Sequence, residues 1–252
     1  MTRKAVTAWF EPLWDEPLPL PKPTMVTAQI LIMDGVRLAR GAWVLVGRTV
    51  ARVASWVFTD GESTVAWMAF TTSIGGTPWA VVLDGRAGLL AAVHYTWPDA
   101  LIQRCHFHIQ KGARILLTMN PTLPAGQAIH AILADLKFVW TRRQRRRWLR
   151  RYRRWERQFA VFLDERTIST QRTVTGRLRS WFTHKKLRAV RSLFRNALPH
   201  LFTYVRHPEI PRTTNHVEGG LNSRLGELIR RHRSLPLTRK QRLAALFFAS
   251  KQ

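Results

Sequence analysis

The chain has 252 residues and carries 41 Lys+Arg against 15 Asp+Glu, a formal charge of +26. Its 46% apolar content supplies a core and excludes global disorder, and its single cysteine excludes a disulfide framework or a four-cysteine zinc module. No apolar run reaches the ~20 residues of a membrane span, and the proline-broken N-terminus lacks the apolar stretch of a secretion signal. A soluble protein of a reducing compartment with a polyanionic partner is what remains.

Residues 11–24, EPLWDEPLPLPKPT, hold five prolines and read as an extended arm, so residues 1–27 are set apart from the fold. Three β-rich runs follow at 28–33, 41–47 and 50–58 and predict a meander. A turn at Asp60-Gly61 opens a helix over 62–73, which Gly75-Gly76-Thr77-Pro78 ends. A short buried strand over 79–83, a helix over 87–95 and another strand over 100–104 complete this part. From Cys105 the pattern is helical nearly to the end, with breaks near Pro121–Pro124 and Pro208–Thr214. Three strands followed by alternating helix and strand is the order of a ribonuclease-H-like α/β fold with a mixed sheet. The boundaries expected are a core of 28–109 and 211–252 and an all-helical, Arg-rich insertion of 110–210.

The charge is concentrated in one part of the chain. Residues 1–100 hold eight basic and eight acidic residues, whereas 101–252 hold 33 basic and seven acidic. Such a split points to a nucleic-acid contact on the second part. Its densest stretch carries Arg142, Arg143, Arg145, Arg146, Arg147, Arg150, Arg151, Arg153 and Arg154. Arginine forks match phosphate oxygens, so these nine side chains are the expected DNA-backbone grip. Trp148, Tyr152, Trp155, Phe159 and Phe162 recur at helical spacing along the same segment and predict a core-facing seam.

Two carboxylates stand out. LIMDG places Asp34 at the end of the first predicted strand, and VVLDG places Asp84 at the end of the fourth. If those strands are neighbours, the carboxylates lie side by side and need a cation, for which Mg²⁺ is the natural choice. Either Asp-Gly taken alone also reads as a plain turn. Glu218, in TTNHVEGGLNSRLGELIRRHR, sits in the first turn of a helix capped by Thr214 or Asn215, as a catalytic group or as a helix-dipole residue. Glu227 suits an ordinary ion pair with Arg230 or Arg231. Cys105 and His108 are too few ligands for a structural zinc, so packing or hydrogen bonding is their expected role.

These segments together resemble the DDE transposases of bacterial insertion sequences, of the Mutator type. The resemblance is carried by LIMDG, VVLDGRAGLLAAV, WPDALIQRCHFHIQK with its Cys-x2-His pair, and TTNHVEGGLNSRLGELIRRHR. It implies a ribonuclease-H-like core in which Asp34, Asp84 and Glu218 hold two Mg²⁺ or Mn²⁺ ions, about 4 Å apart, across a scissile phosphodiester. Hydrolysis would free the element's ends, and transesterification would join them to target DNA. Cys105 and His108 carry over as motif residues only. The partners implied are transposon-end and target DNA, and synapsis implies a homo-oligomer. The location implied is the bacterial cytoplasm, with no membrane contact. Members of that family usually have a longer N-terminal region for binding the terminal repeats, so a truncated copy is expected. A metal-dependent nuclease without strand transfer and a non-catalytic DNA-binding remnant are the alternatives.

Overall fold

The strand β1 (Ile30–Ala39) lies at the centre of a five-stranded sheet with the order β3-β2-β1-β4-β5. Its neighbours are β2 (Ala42–Arg48) and β4 (Ala80–Leu83), and β3 (Val53–Thr59) and β5 (Leu101–Arg104) are the edges. The computed structural model describes residues 8, 11–172, 175–214 and 221–252. β1 and β2 pair antiparallel through a turn at Arg40-Gly41, where Gly41 has φ +68°. β2 and β3 are also antiparallel, whereas β1 and β4 run parallel with Ile30, Leu31 and Ile32 opposite Ala80, Val81 and Val82. The sheet is therefore mixed, as the element order predicts.

Strand alternation gives this sheet two apolar faces. One face carries Leu31, Met33 and Leu45, which pack under Trp67 and Phe70 of α1 (Thr64–Ser73) and Leu89 and Val93 of α2 (Ala87–Thr96). The Ser63 hydroxyl caps α1 by accepting the Ala66 N–H at 3.1 Å. The opposite face carries Val44, Val46 and Trp56, covered by Leu225 and Ile229 of α8 (Leu221–Arg231) and by Ala244 and Phe248 of α9 (Leu237–Ala249). Leu225 and Ile229 stand four residues apart, so a single stripe of α8 meets the sheet. The predicted Glu227 ion pair forms with Arg231 at 2.5 Å.

The Pro-rich arm is not extended throughout: Glu11–Trp14 form a 3-10 helix followed by a turn, and only residues 17–24 run without helix or strand, pinned to the fold. The Gln252 side chain accepts the Lys22 N–H at 2.9 Å and donates to the Lys22 carbonyl at 2.7 Å and the Ala54 carbonyl at 3.2 Å. Arg242 donates to the Trp14 carbonyl at 3.2 Å. The arm thus lies beside β3 and shields an otherwise open sheet edge.

The chain divides into two compact units, 1–103 with 213–252, and 104–212. The second contains α3 (His106–Leu117), α4 (Pro124–Asp135), α5 (Arg142–Gln158), α6 (Ala160–Asp164) and α7 (Lys185–Ala197). It is not all-helical as the sequence pattern suggests. β6 (Arg166–Arg172) and β7 (Leu178–Phe182) form an antiparallel hairpin. The reason is local: RTISTQR is rich in β-branched residues, and Gly176 supplies φ +76° at the turn. Another difference concerns β1, which does not end at Asp34 but continues to Ala39. Asp34-Gly35 is therefore mid-strand, whereas Asp84-Gly85 is a true strand end, with φ +77° at Gly85.

Phe248 is fully buried and its ring centroid lies 5.7 Å from that of Trp56. Phe248→Ala should destabilise the fold by about 3–5 kcal/mol. Leu246→Ala, on the exposed side of α9, should cost under about 1 kcal/mol. Urea unfolding of both variants checks the difference.

Candidate functional site

β1 and β4 are parallel neighbours, and each candidate aspartate lies two residues beyond their last paired residues, Ile32 and Val82. Asp34 is opposite Val46 on the antiparallel side. Opposed residues share a sheet face, so Asp34 points to the face that α8 and α9 cover. The Asp34 carboxylate accepts the Gly35 N–H at 3.0 Å, and that of Asp84 accepts the Arg86 N–H at 2.9 Å.

Three further charged side chains complete this site. The Arg86 guanidinium lies 3.1 Å from Asp84 and also pairs with Glu62. Glu62 is 5% exposed at its side chain and Asp84 10%, against 55% for Arg86. A cation reaching in from solvent thus binds two nearly buried carboxylates, which is the charge compensation such burial demands. The Arg86 guanidinium also lies over the Trp43 ring, 5.5 Å from its centroid. Arg48 donates to the Thr214 carbonyl at 2.7 Å. Burial pushes the Arg48 guanidinium below its usual range, and the Asp34 charge pulls it back up. Gly35 leaves room for the Glu62 carboxylate, which a Cβ there would push aside.

Glu62, Arg86 and Arg48 are absent from the sequence-based candidates. The only signals for them were an Arg two residues after Asp84 and a Glu at the turn before α1. Glu218 and Asn215, one of its two expected caps, lie outside the described residues, whereas the other, Thr214, is described. Among the described residues no group of three or more His, Cys, Asp or Glu side chains is placed to hold a metal ion.

The arginine helix α5 begins at a capping box: Thr141 accepts the Gln144 N–H at 3.2 Å, and Gln144 accepts the Thr141 N–H at 2.9 Å. Trp148, Tyr152 and Trp155 of the predicted seam are buried, whereas Phe159 caps the end of α5 and Phe162 lies in α6, both half-buried, so the single stripe stops at Trp155. The polar edges of the two tryptophans are satisfied, with Trp148 Nε1 donating to the Ile132 carbonyl and Trp155 Nε1 to the Ala125 carbonyl, both at 2.8 Å. Phe194 of α7 packs 5.6 Å from Trp148 and 5.4 Å from Tyr152. The other faces of α5 expose Arg142, Arg143, Arg146, Arg147, Arg150, Arg151, Arg153 and Arg154, while Arg145 is half-buried over Phe202. Of these nine, Arg151 alone has a carboxylate partner among the described residues, Asp135. Arg150, Arg153, Arg154 and Arg157 line one open groove together with Arg195, which is held by Glu156 at 2.6 Å.

The Cys-x2-His pair sits at the start of α3. Cys105 is a fully buried thiol outside any disulfide at the N-cap position, and His108 is half-buried with its ring against Phe107. The residue between them that carries a perturbed charge is His106. Its ring is edge-on to Tyr204 at 5.1 Å and lies 2.9 Å from the Leu201 carbonyl oxygen. Burial lowers its pKa to about 4, the Leu201 contact opposes that shift, and the charge of Arg212 adds to it.

Residues 50–174, about half of the chain, match the family model described as Transposase, Mutator family. The match contains Asp84, Cys105, His108 and the nine candidate arginines of α5, and leaves Asp34 and Glu218 outside it. No curated protein matches the chain.

The folded His106 titrates below an unfolded histidine, so the unfolded chain takes up the proton first. Its contribution is fully present above about pH 6.5 and is lost as pH falls towards about 4, amounting to about 3 kcal/mol. Urea midpoints between pH 7 and pH 4 should show that loss, and it should shrink in His106→Gln. Gly35→Ala should destabilise by about 1–3 kcal/mol. A double-mutant cycle with Glu62→Ala should recover part of that cost, since the collision is with Glu62.

Proposed function

Since the match over residues 50–174 marks the chain as a Mutator-type transposase, we propose that it cuts and joins DNA strands through a DDE-type site made of Asp34, Asp84 and Glu218. The observation that carries this reading is the parallel β1–β4 register, whose last pair, Ile32 with Val82, lies two residues before each aspartate. The strand order β3-β2-β1-β4-β5 supports a ribonuclease-H-like core as its frame. Glu218 lies four residues beyond Thr214, whose carbonyl is held by the same Arg48 that senses the Asp34 charge.

Asp34 and Asp84 offer hard oxygen donors on neighbouring strands, a donor set that fits Mg²⁺ or Mn²⁺. When bound, two such ions supply an activated oxygen nucleophile and neutralise the leaving oxygen. The residues of this chain do the rest. Arg86 and Glu62 hold Asp84 in place, and Gly35 leaves room for Glu62. In cleavage, water attacks phosphorus in line and the P–O3′ bond breaks, leaving a 3′-hydroxyl. In strand transfer that 3′-hydroxyl is the nucleophile on a target phosphodiester, so one P–O bond forms as another breaks. Neither step passes through a covalent protein–DNA bond.

The arginines of α5 bind phosphates without reading bases, so their share of affinity falls steeply with salt. The substrates are element ends and target DNA in the bacterial cytoplasm. Bringing two ends together requires at least a dimer. No helix among the described residues is long and apolar enough to cross a membrane.

Wild type should nick supercoiled DNA and join pre-nicked ends with Mg²⁺ or Mn²⁺. Asp34→Asn, Asp84→Asn and Glu218→Gln should each lower both rates by more than about a hundredfold, beyond the usual cost of losing a supporting residue. DNA binding should persist, because none of these changes removes a basic residue. Nicks without joined products would make the protein a nuclease. Binding without cleavage by any form would make it a non-catalytic DNA-binding protein.

A further inference from the structure

The β6–β7 hairpin has no place in the chemistry above. No residue of either strand is buried, although a lone two-stranded hairpin is marginal in water. Its base is anchored. Thr183 donates its N–H to the Glu165 carbonyl at 2.9 Å, and the guanidinium of Arg188 lies 3.4 Å from the centre of the Phe182 ring. Thr167 and Thr183 share a hydroxyl contact at 2.8 Å. Beyond that base the strands expose Arg172 and Arg179, with Arg177 in the connection, and the apolar Ile168, Leu178 and Trp181. Between Arg166 and Pro208 the sequence has ten Lys+Arg and not one Asp or Glu.

We propose that the hairpin is a second DNA-binding element, separate from the arginine helix, which seats in the major groove of duplex DNA. This rests on the reading of the chain as a transposase. Charge complementarity identifies the partner as a polyanion. The shape identifies a duplex: a two-stranded ribbon fits a major groove about 12 Å wide. Seven residues of β6 extend about 23 Å, roughly two-thirds of a helical turn. A single strand would require several aromatics for successive bases to stack on. The two strands expose one aromatic ring, Trp181, and Lys185 lies 5.5 Å from its centroid. Thr167 faces Trp181 across the hairpin, and Arg179 lies two residues away on the same face. That face therefore combines a hydroxyl, a guanidinium and an apolar ring, the mixture that reads base edges and phosphates together.

The test compares full-length wild type with Arg177→Gln/Arg179→Gln and with Arg146→Gln/Arg150→Gln on α5, binding duplex DNA of random sequence at several salt concentrations. The hairpin pair should weaken binding by on the order of tenfold at 0.15 M salt and flatten the logarithmic salt slope by about 2. Arg177→Lys/Arg179→Lys should keep most of the affinity. As a mutation-free check, duplex DNA should protect Arg179 from an arginine-specific reagent, read by mass spectrometry. An unchanged slope with an unprotected Arg179 overturns the proposal and leaves the function standing, provided the α5 pair still loses affinity. An equal loss on single-stranded DNA overturns the groove assignment. Failure of wild type to bind any DNA overturns the transposase reading itself.

Discussion

The pairing of β1 with β4 is the constraint on which the candidate site depends. A parallel register aligns residues by number, so one slip would shift Asp34 away from Asp84 and also turn its side chain to the other face. The register is held from both sides of the sheet. Leu31 and Met33 are locked under α1 and α2, while Val44, Val46 and Trp56 are locked under α8 and α9. Apolar burial on two faces thus fixes the strands that carry the two polar groups, one in mid-strand and one just past a strand end. The aspartates are not part of that apolar packing, so replacing them in the activity test leaves the supports of the register in place.

The electrostatics of the two units follow opposite rules. In the first unit a few charges are nearly buried and each has a named partner: Glu62 with Arg86, Asp84 with Arg86, Arg48 beside Asp34. Such pairs hold side-chain geometry and are costly to break on one side only. In the second unit the charges are exposed and mostly without acidic partners among the described residues. They add little to stability and repel each other along α5, where like charges recur at three- and four-residue spacing. The helix forms because its aromatic stripe is buried against α4 and α7.

Most of the sheet was legible in the sequence, because buried strands announce themselves as short apolar runs bounded by Gly, Pro and Asp. The α5 seam was legible for a similar reason, since aromatic residues at steps of three and four among arginines admit one buried face. The hairpin was missed because its strands bury nothing, so no apolar periodicity marks them. Only the β-branched Thr and Ile residues and Gly176 signal it. The Asp34-Gly35 pair looked like the Asp84-Gly85 turn but serves a different purpose: it lies mid-strand, and its glycine exists for Glu62. That distinction depends on residues 27 positions apart and cannot be read locally. Arg86 was invisible for the same reason, as one arginine among many.

The arginine helix has a consequence for how the protein behaves before any substrate is cut. Its repelling charges and its core-forming rings are on the same seventeen residues. A polyanion bound there would relieve that repulsion in the element that also organises the second unit, and by mass action it would stabilise the folded form by an amount that grows with the logarithm of its concentration. Nucleic acid bound along this helix would then be a folding partner for the unit as well as a ligand. The melting temperature measured for it will be a property of the buffer's anions and of any carried-over DNA as much as of the chain.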